Sequence, residues 1–160
     1  MVATFGWVEY LANATDTAVP TNLNLGSTLS ANLAPSTYPI TAGTYSYEKW
    51  IVSNFSDSFT RIDNVQFWKS AGAYVTGETI AWTGQQTVYA APTESASGDA
   101  TTAVPTADPA TANVSIDGSL TGSLTATGSS DFIVLQASVT VAASAGAVNQ
   151  KTFTLQYDEV

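Results

Sequence analysis

The sequence predicts an all-β protein, an antiparallel β-sandwich in one domain spanning residues 1–160. Three observations carry that expectation. Asp131 to Ala142 alternates Ile133, Leu135, Ala137, Val139 and Val141 with Phe132, Val134, Gln136, Ser138 and Thr140, the period of a half-buried strand. Lys151 to Asp158 repeats the pattern, with Phe153, Leu155 and Tyr157 on one face and Thr152, Thr154 and Gln156 on the other. No segment shows the 3.6-residue apolar period over three turns that a packed helix needs.

The remaining elements follow in chain order. Thr4 to Leu11 supplies Phe5, Trp7, Val8 and Tyr10 to a first strand. Thr44 to Asn54 reads as a strand whose apolar residues change phase between Tyr45/Tyr47 and Trp50/Val52, which a bulge or burial of both faces explains. After a turn at Asp57-Ser58, Ile62 to Lys69 carries Val65 and Phe67 opposite Asn64, Gln66 and Trp68. A strand pair is expected around Gly84 within Thr79 to Tyr89, and further strand in Ala112 to Thr127 from Val114, Ile116, Leu120 and Leu124. The stretch Ala143-Ser144-Ala145-Gly146-Ala147 reads as a turn, so the chain is expected to close on a β-hairpin. In all, about seven to nine short strands separated by turns are the pattern of a sandwich.

Two segments stand outside it. Ala90 to Asn113 is built from Ala, Thr, Ser, Pro and Gly and holds little that is large enough to bury. Asn13 to Ala42 is similar but carries Leu23, Leu25, Leu29 and Leu33. Loops of this length are either surface loops or arms ordered by contact with something else. The sharper expectation is arms at 13–42 and 90–113 laid across neighbouring subunits.

Composition bounds the function. Only 11% of residues are charged, and thirteen carboxylates face four Lys or Arg, for a net charge of −9. The surface is therefore covered by hydroxyls, amides and small side chains, which suits a chain packed in an assembly. Lys49, Arg61, Lys69 and Lys151 form no basic patch, so neither nucleic acid nor an anionic membrane is an expected partner. No apolar run approaches the roughly 20 residues of a spanning helix, and a soluble protein is expected. The opening Met1-Val2-Ala3-Thr4-Phe5-Gly6-Trp7 has neither a positive n-region nor an apolar h-region, so no export signal is expected.

Histidine and cysteine are both absent, which removes the imidazole base near neutral pH, the thiolate nucleophile and the disulfide. A glycosidase-type carboxylate pair is the chemistry that remains, and no pair has a recognisable spacing with a subsite wall. The chain is expected not to be an enzyme, and no cofactor is expected. Asp57, Asp63 and Asn64 flank one tight region and could ligate calcium through oxygen. No D-x-D-x-D-G loop accompanies them, so solvated turn acids are the expected reading and no metal is assigned. The sequons at Asn13, Asn54 and Asn113 are what chance gives in a chain this rich in Ser and Thr. Aromatic rings can stack on the apolar face of a sugar. Of Trp7, Trp50, Trp68, Trp82, Tyr74 and Tyr89, the candidate partner or glycan contacts are Trp68, Tyr74 and Trp82, with Trp68 expected to face outward, opposite Val65 and Phe67.

Tyr45-Ser46-Tyr47-Glu48-Lys49-Trp50-Ile51-Val52-Ser53-Asn54-Phe55-Ser56, followed by Ile62-Asp63-Asn64-Val65-Gln66-Phe67-Trp68, resembles immunoglobulin-like modules of phage and surface proteins. There, a strand ending in an Asn turn precedes a strand with an aromatic near its end. The close, Leu135 to Val139 and Phe153 to Glu159, looks like the final hairpin of such modules. The resemblance covers roughly half the chain and transfers no functional residue; the Cys pair and Trp arrangement of antibody domains are missing. It implies an immunoglobulin-like or jelly-roll sandwich in a structural setting. The expected function is a virion structural protein, a capsid decoration or cement subunit or another head or tail assembly subunit. Such a protein would be made in the host cytoplasm and exposed on the particle surface. Its expected partners are itself, as a homo-oligomer, and the major capsid or other virion proteins. A carbohydrate-binding or host-recognition module and an extracellular filament subunit are the alternatives.

Overall fold

A computed structural model describes residues 2–143 and 150–160. Nine strands are present among them and no helix. They are β1 (Thr4–Tyr10), β2 (Thr17–Ala18), β3 (Lys49–Ser56), β4 (Ile62–Ala71), β5 (Glu78–Gln86), β6 (Thr102–Ala103), β7 (Gly128–Ser129), β8 (Phe132–Val139) and β9 (Thr152–Glu159). The large antiparallel sheet has the order β2-β1-β3-β8-β5-β6, with β7 also on β3; β4 and β9 form a second, two-stranded sheet. The chain is a β-sandwich of these two antiparallel sheets.

The expected terminal hairpin is not formed. β8 pairs with β3 and β5, whereas β9 pairs with β4 in the other sheet. The two alternating patterns are real strands, but alternation says which face of a strand is apolar, not which neighbour it hydrogen-bonds. Of the expected turn, all but Ala143 lies outside the described residues. β9 starts beside the beginning of β5, where Lys151 meets Glu78, and ends over the beginning of β1, where Tyr157 meets Phe5 and Phe55. It therefore crosses the large sheet diagonally and leaves a triangle of inner face on either side.

The segments poor in large residues fill that space. On one side of the diagonal, Val104, Val114 and Ile116 are buried and Leu124 packs against them; on the other, Leu23, Leu25 and Ile40 pack on the core. Residues 87–101 fold instead over the outer face of the large sheet, where Ala100 and Tyr89 cover Trp50 and Val134. Gln136, buried on β8, fastens this strap: its amide donates to the carbonyls of Ser46, Thr93 and Ser95 and accepts from the Ser97 N–H. The two stretches expected as arms thus lie against the chain's own sheets, and small residues let their backbone approach closely.

The phase change before Trp50 is a bulge. Tyr45 pairs with Ser138 and Lys49 with Leu135, so Ser46, Tyr47 and Glu48 lie opposite Gln136 and Ala137 alone. Beyond it β3 is also buried on both faces, Ile51 in the inter-sheet core and Trp50 under the strap. A second bulge in β4, between Asp63 and Gln66, has Asn64 at φ 50°. The strand pair expected around Gly84 is one strand, β5, that passes through it. A Cβ at Gly84 would lie 2.6 Å from the Asn113 carbonyl oxygen, so glycine is required for residues 113–115 to cross there. Ala112 to Thr127 is not a strand either. Ile116 and Ser119 pair across an Asp117-Gly118 turn with both φ angles positive, and Leu124 bridges to Ile62, so Asp117-Gly118 acts as a tight two-residue turn.

Between the sheets, Ile51, Ile80, Trp82, Ile133, Leu135 and Ala137 meet Val65 and Phe67 of β4. Trp82 belongs to this core, stacked on Phe67 at 5.6 Å. Trp68 was expected to face outward and is buried, 9% exposed. On its face of β4, the neighbouring Gln66 donates to the carbonyl of Pro109, which shows what lies over that face: the segment from Pro105 to Asn113.

That segment also closes one edge of β4. Lys69 N–H donates to the Pro105 carbonyl, and the Asn113 side chain accepts from Phe67 N–H while donating to Phe67 C=O. The Asn113 amide thus stands in for a neighbouring strand. Asn113→Ala leaves both Phe67 groups unpaired, and urea denaturation is expected to show a loss of about 1–3 kcal/mol; a loss inside ±0.5 kcal/mol would show that the amide does not close the edge.

Candidate functional site

The edges of the small sheet are treated unequally. At β4, the bonds of Phe67 and Lys69 to Asn113 and Pro105 point away from β9. In an antiparallel ladder, the groups of alternate residues point to opposite sides. Gln66 and Trp68 therefore bond their partners Gln156 and Thr154, while Leu155 and Phe153, opposite Phe67 and Lys69, direct their N–H and C=O away from β4. Nothing in the described chain meets them, since β9 pairs with β4 alone. Continuing the alternation adds Tyr157 to the same open edge.

Apolar surface flanks this edge. Phe153, Leu155 and Tyr157 face the core, yet none of them is buried, whereas Ile62, Val65 and Phe67 on β4 are all but inaccessible. Beside Tyr157 lies Phe5, 36% exposed, in edge contact with Trp7 at 5.1 Å. At the other end, a cavity of about 1100 Å³ opens between the start of β9, the inner face of the large sheet and residues 20–42. Trp7, Leu23, Leu25, Ile40, Val139 and Phe153 form its apolar wall. Its size is slightly above the usual range of small-molecule pockets, about 300–1,000 Å³.

The polar groups nearby are mutually engaged. Lys151 Nζ bonds Glu78 at 2.5 Å, and Glu78 also accepts from Val75 N–H. Tyr74, half-buried, lies under the ammonium groups of Lys69 (5.0 Å) and Lys151 (5.7 Å). Burial, and then the charge of Glu78, raise the Tyr74 pKa. Of the expected contacts Trp68, Tyr74 and Trp82, only Tyr74 keeps appreciable exposure, so they do not make a ring platform. The residues that do flank an open surface, Phe5, Trp7, Phe153, Leu155 and Tyr157, were all visible as strand aromatics and aliphatics. The missing signal was pairing: sequence cannot tell an edge strand from a paired one.

The remaining candidates are internally satisfied. Asp57 accepts the Thr4 hydroxyl, Asp63 pairs with Arg61 at 2.7 Å, and Asn64 donates to Asp158. No group of three acidic side chains placed to hold a metal occurs among the described residues. Asn13 caps its own turn through Thr15 and Asp16, and Asn54 bonds Ser129.

Two buried carboxylates have no counterpart in the sequence reading. Glu9 is 1% exposed and bonds Lys49 Nζ at 2.5 Å, with its second oxygen unpartnered. Burial raises its pKa against the opposing pull of Lys49. Glu48, on the Trp50 face of the chain just before β3, accepts from Trp50 Nε1 and from Thr93 N–H, clamping the strap.

Asp99 on the same strap is bonded by Gln86, and its pKa is raised by burial and by the charge of Glu48, against the pull of Gln86. A raised carboxyl pKa means the charged form is the less stable one in the fold. Asp99 therefore favours folding most below its unfolded pKa and loses that contribution as pH rises through the folded value. Asp99→Asn mimics the protonated form and keeps an acceptor for Gln86. Its midpoint is expected to match the native chain near pH 3 and to exceed it at pH 7. A constant difference across that range would contradict the assignment.

Comparison with protein-family models, curated proteins and solved structures finds no match.

Proposed function

We propose that the chain is a non-enzymatic structural subunit of a virus particle, a capsid decoration or other head or tail assembly protein. It attaches by accepting a strand from another chain at the edge of β9. The observation that supports this is the row of backbone groups at Phe153, Leu155 and Tyr157 that no described residue pairs, beside partly exposed core residues and a cavity. Proteins usually blunt such an edge with short strands, lysines, prolines or a covering segment. β4 is covered in that way, and among the described residues β9 is not. Strand addition uses main-chain bonds for affinity and side-chain pockets for specificity. The low charge content agrees with a surface meant to be covered.

The test is location. Genes for capsid or tail proteins beside this one, and labelling of intact particles by an antibody to residues on the strap, are the expected results. A metabolic operon and unlabelled particles would overturn the reading.

A further inference from the structure

We infer that the β9 edge and the adjoining cavity form one acceptor site for an extended segment of a different protein, with apolar residues at alternate positions and a Lys or Arg where it passes Asp158. This rests on the acceptor-edge reading above and names its occupant.

The backbone of the edge fixes the form of the ligand. Phe153, Leu155 and Tyr157 offer N–H and C=O groups at every second residue, which an extended chain can meet in register and a compact molecule cannot. The side chains that such a strand turns inward would lie along Phe5, Trp7, Leu155 and Tyr157 and then enter the cavity beside Phe153. The contacts along the edge are apolar or aromatic, and the cavity adds the polar side chains of Asn22, Asn24, Glu78 and Lys151 to its apolar wall. The cavity gives room for one large side chain at that end, so an aromatic anchor is the fitting choice.

Charge fixes the other end and excludes a second copy. Asp57, Asp63, Asp158 and Glu159 gather where β9 ends, with Arg61 the cation among them, paired to Asp63. Asp158 is exposed on the outer face of the strand, five residues from Phe153. A basic residue five positions from the anchor would meet it. This chain cannot supply one. Lys49 is buried against Glu9, Lys69 bonds the Gly72 carbonyl, Lys151 bonds Glu78, and Arg61, exposed beside Asp63, is fixed ahead of β4 by backbone bonds to Val160 and cannot leave with a donor strand. Those are all four of its cations, and at a net charge of −9 two copies repel.

Two ten-residue synthetic peptides test this on the full chain. Both alternate Thr with Val and carry a Trp anchor; one has Lys five residues from it and the other Glu. The Lys peptide is expected to bind saturably and to slow hydrogen exchange at the Phe153, Leu155 and Tyr157 amides at least tenfold. The Glu peptide should bind at least tenfold more weakly at low salt, with the gap narrowing as salt rises. Failure of the Lys peptide to protect those amides would overturn the proposal, as would its binding in the cavity alone, the behaviour of a small apolar ligand. Equal affinity for the two peptides would overturn its charge assignment. Protection that appears when the protein alone is concentrated would replace the different partner by a second copy. Because purified protein and peptides suffice, these outcomes are independent of gene neighbourhood and particle labelling, so the two readings can fail separately.

Discussion

Phe67→Ala is expected to lower the unfolding free energy by about 3–5 kcal/mol, the cost of removing a buried aromatic from a packed core. The ring is fully buried, stacked on Phe153 at 5.5 Å and 8° and on Trp82 at 5.6 Å, with Trp7 edge-on at 6.2 Å. It joins β4 to β9 within the small sheet and joins both to β1 and β5 of the large one. Denaturant titration followed by tryptophan fluorescence measures the loss. A cost below about 1 kcal/mol would mean that the sheets are not packed through this residue.

A second large effect is expected from one methyl group on the backbone. N-methylation of Leu155, introduced by semisynthesis, removes an N–H that points away from β4 and leaves the side chain in place. Partner binding should fall more than tenfold, equivalent to 1.4 kcal/mol, while stability stays within about 0.5 kcal/mol of the native chain. The same change at Gln156 breaks a ladder bond to Gln66 and should cost about 1–3 kcal/mol of stability. Equal effects at the two positions would show that β9 is not an edge. The comparison works because adjacent residues of one strand donate to opposite sides.

The fold class was legible because side-chain alternation is local. Ile133, Leu135 and Ala137 declare one buried face, and Phe153, Leu155 and Tyr157 another, whatever they pair with. Pairing is not local: β9 joins β4 across about ninety residues, and nothing in the spacing of Phe153 or Leu155 distinguishes that from a hairpin with β8. Trp68 shows the same limit. Its parity on β4 is opposite to Phe67, as expected, but that face is buried because Gln66 and the segment beyond Pro105 meet over it. The residues of that segment are small, and their value lies in backbone carbonyls and the Asn113 amide rather than in apolar side chains. Composition therefore made Ala90 to Asn113 look empty when much of it is cover for the two sheets. The bulge at Tyr47 and Glu48 was visible as a phase change. The role of the buried Glu48 in holding the strap was not, because it depends on Thr93, which is close only in the fold.

The edge proposed as an acceptor is the least legible part, because it consists of β9 backbone groups that no described strand meets rather than of distinctive residues. Amide hydrogen exchange on the dilute free protein tests it most directly. Thr154 and Gln156, bonded to β4, are expected to exchange slowly, and Phe153, Leu155 and Tyr157 at rates close to those of unstructured chain. Slow exchange at all five amides in the dilute monomer would contradict the open edge and, with it, strand addition as the mode of attachment.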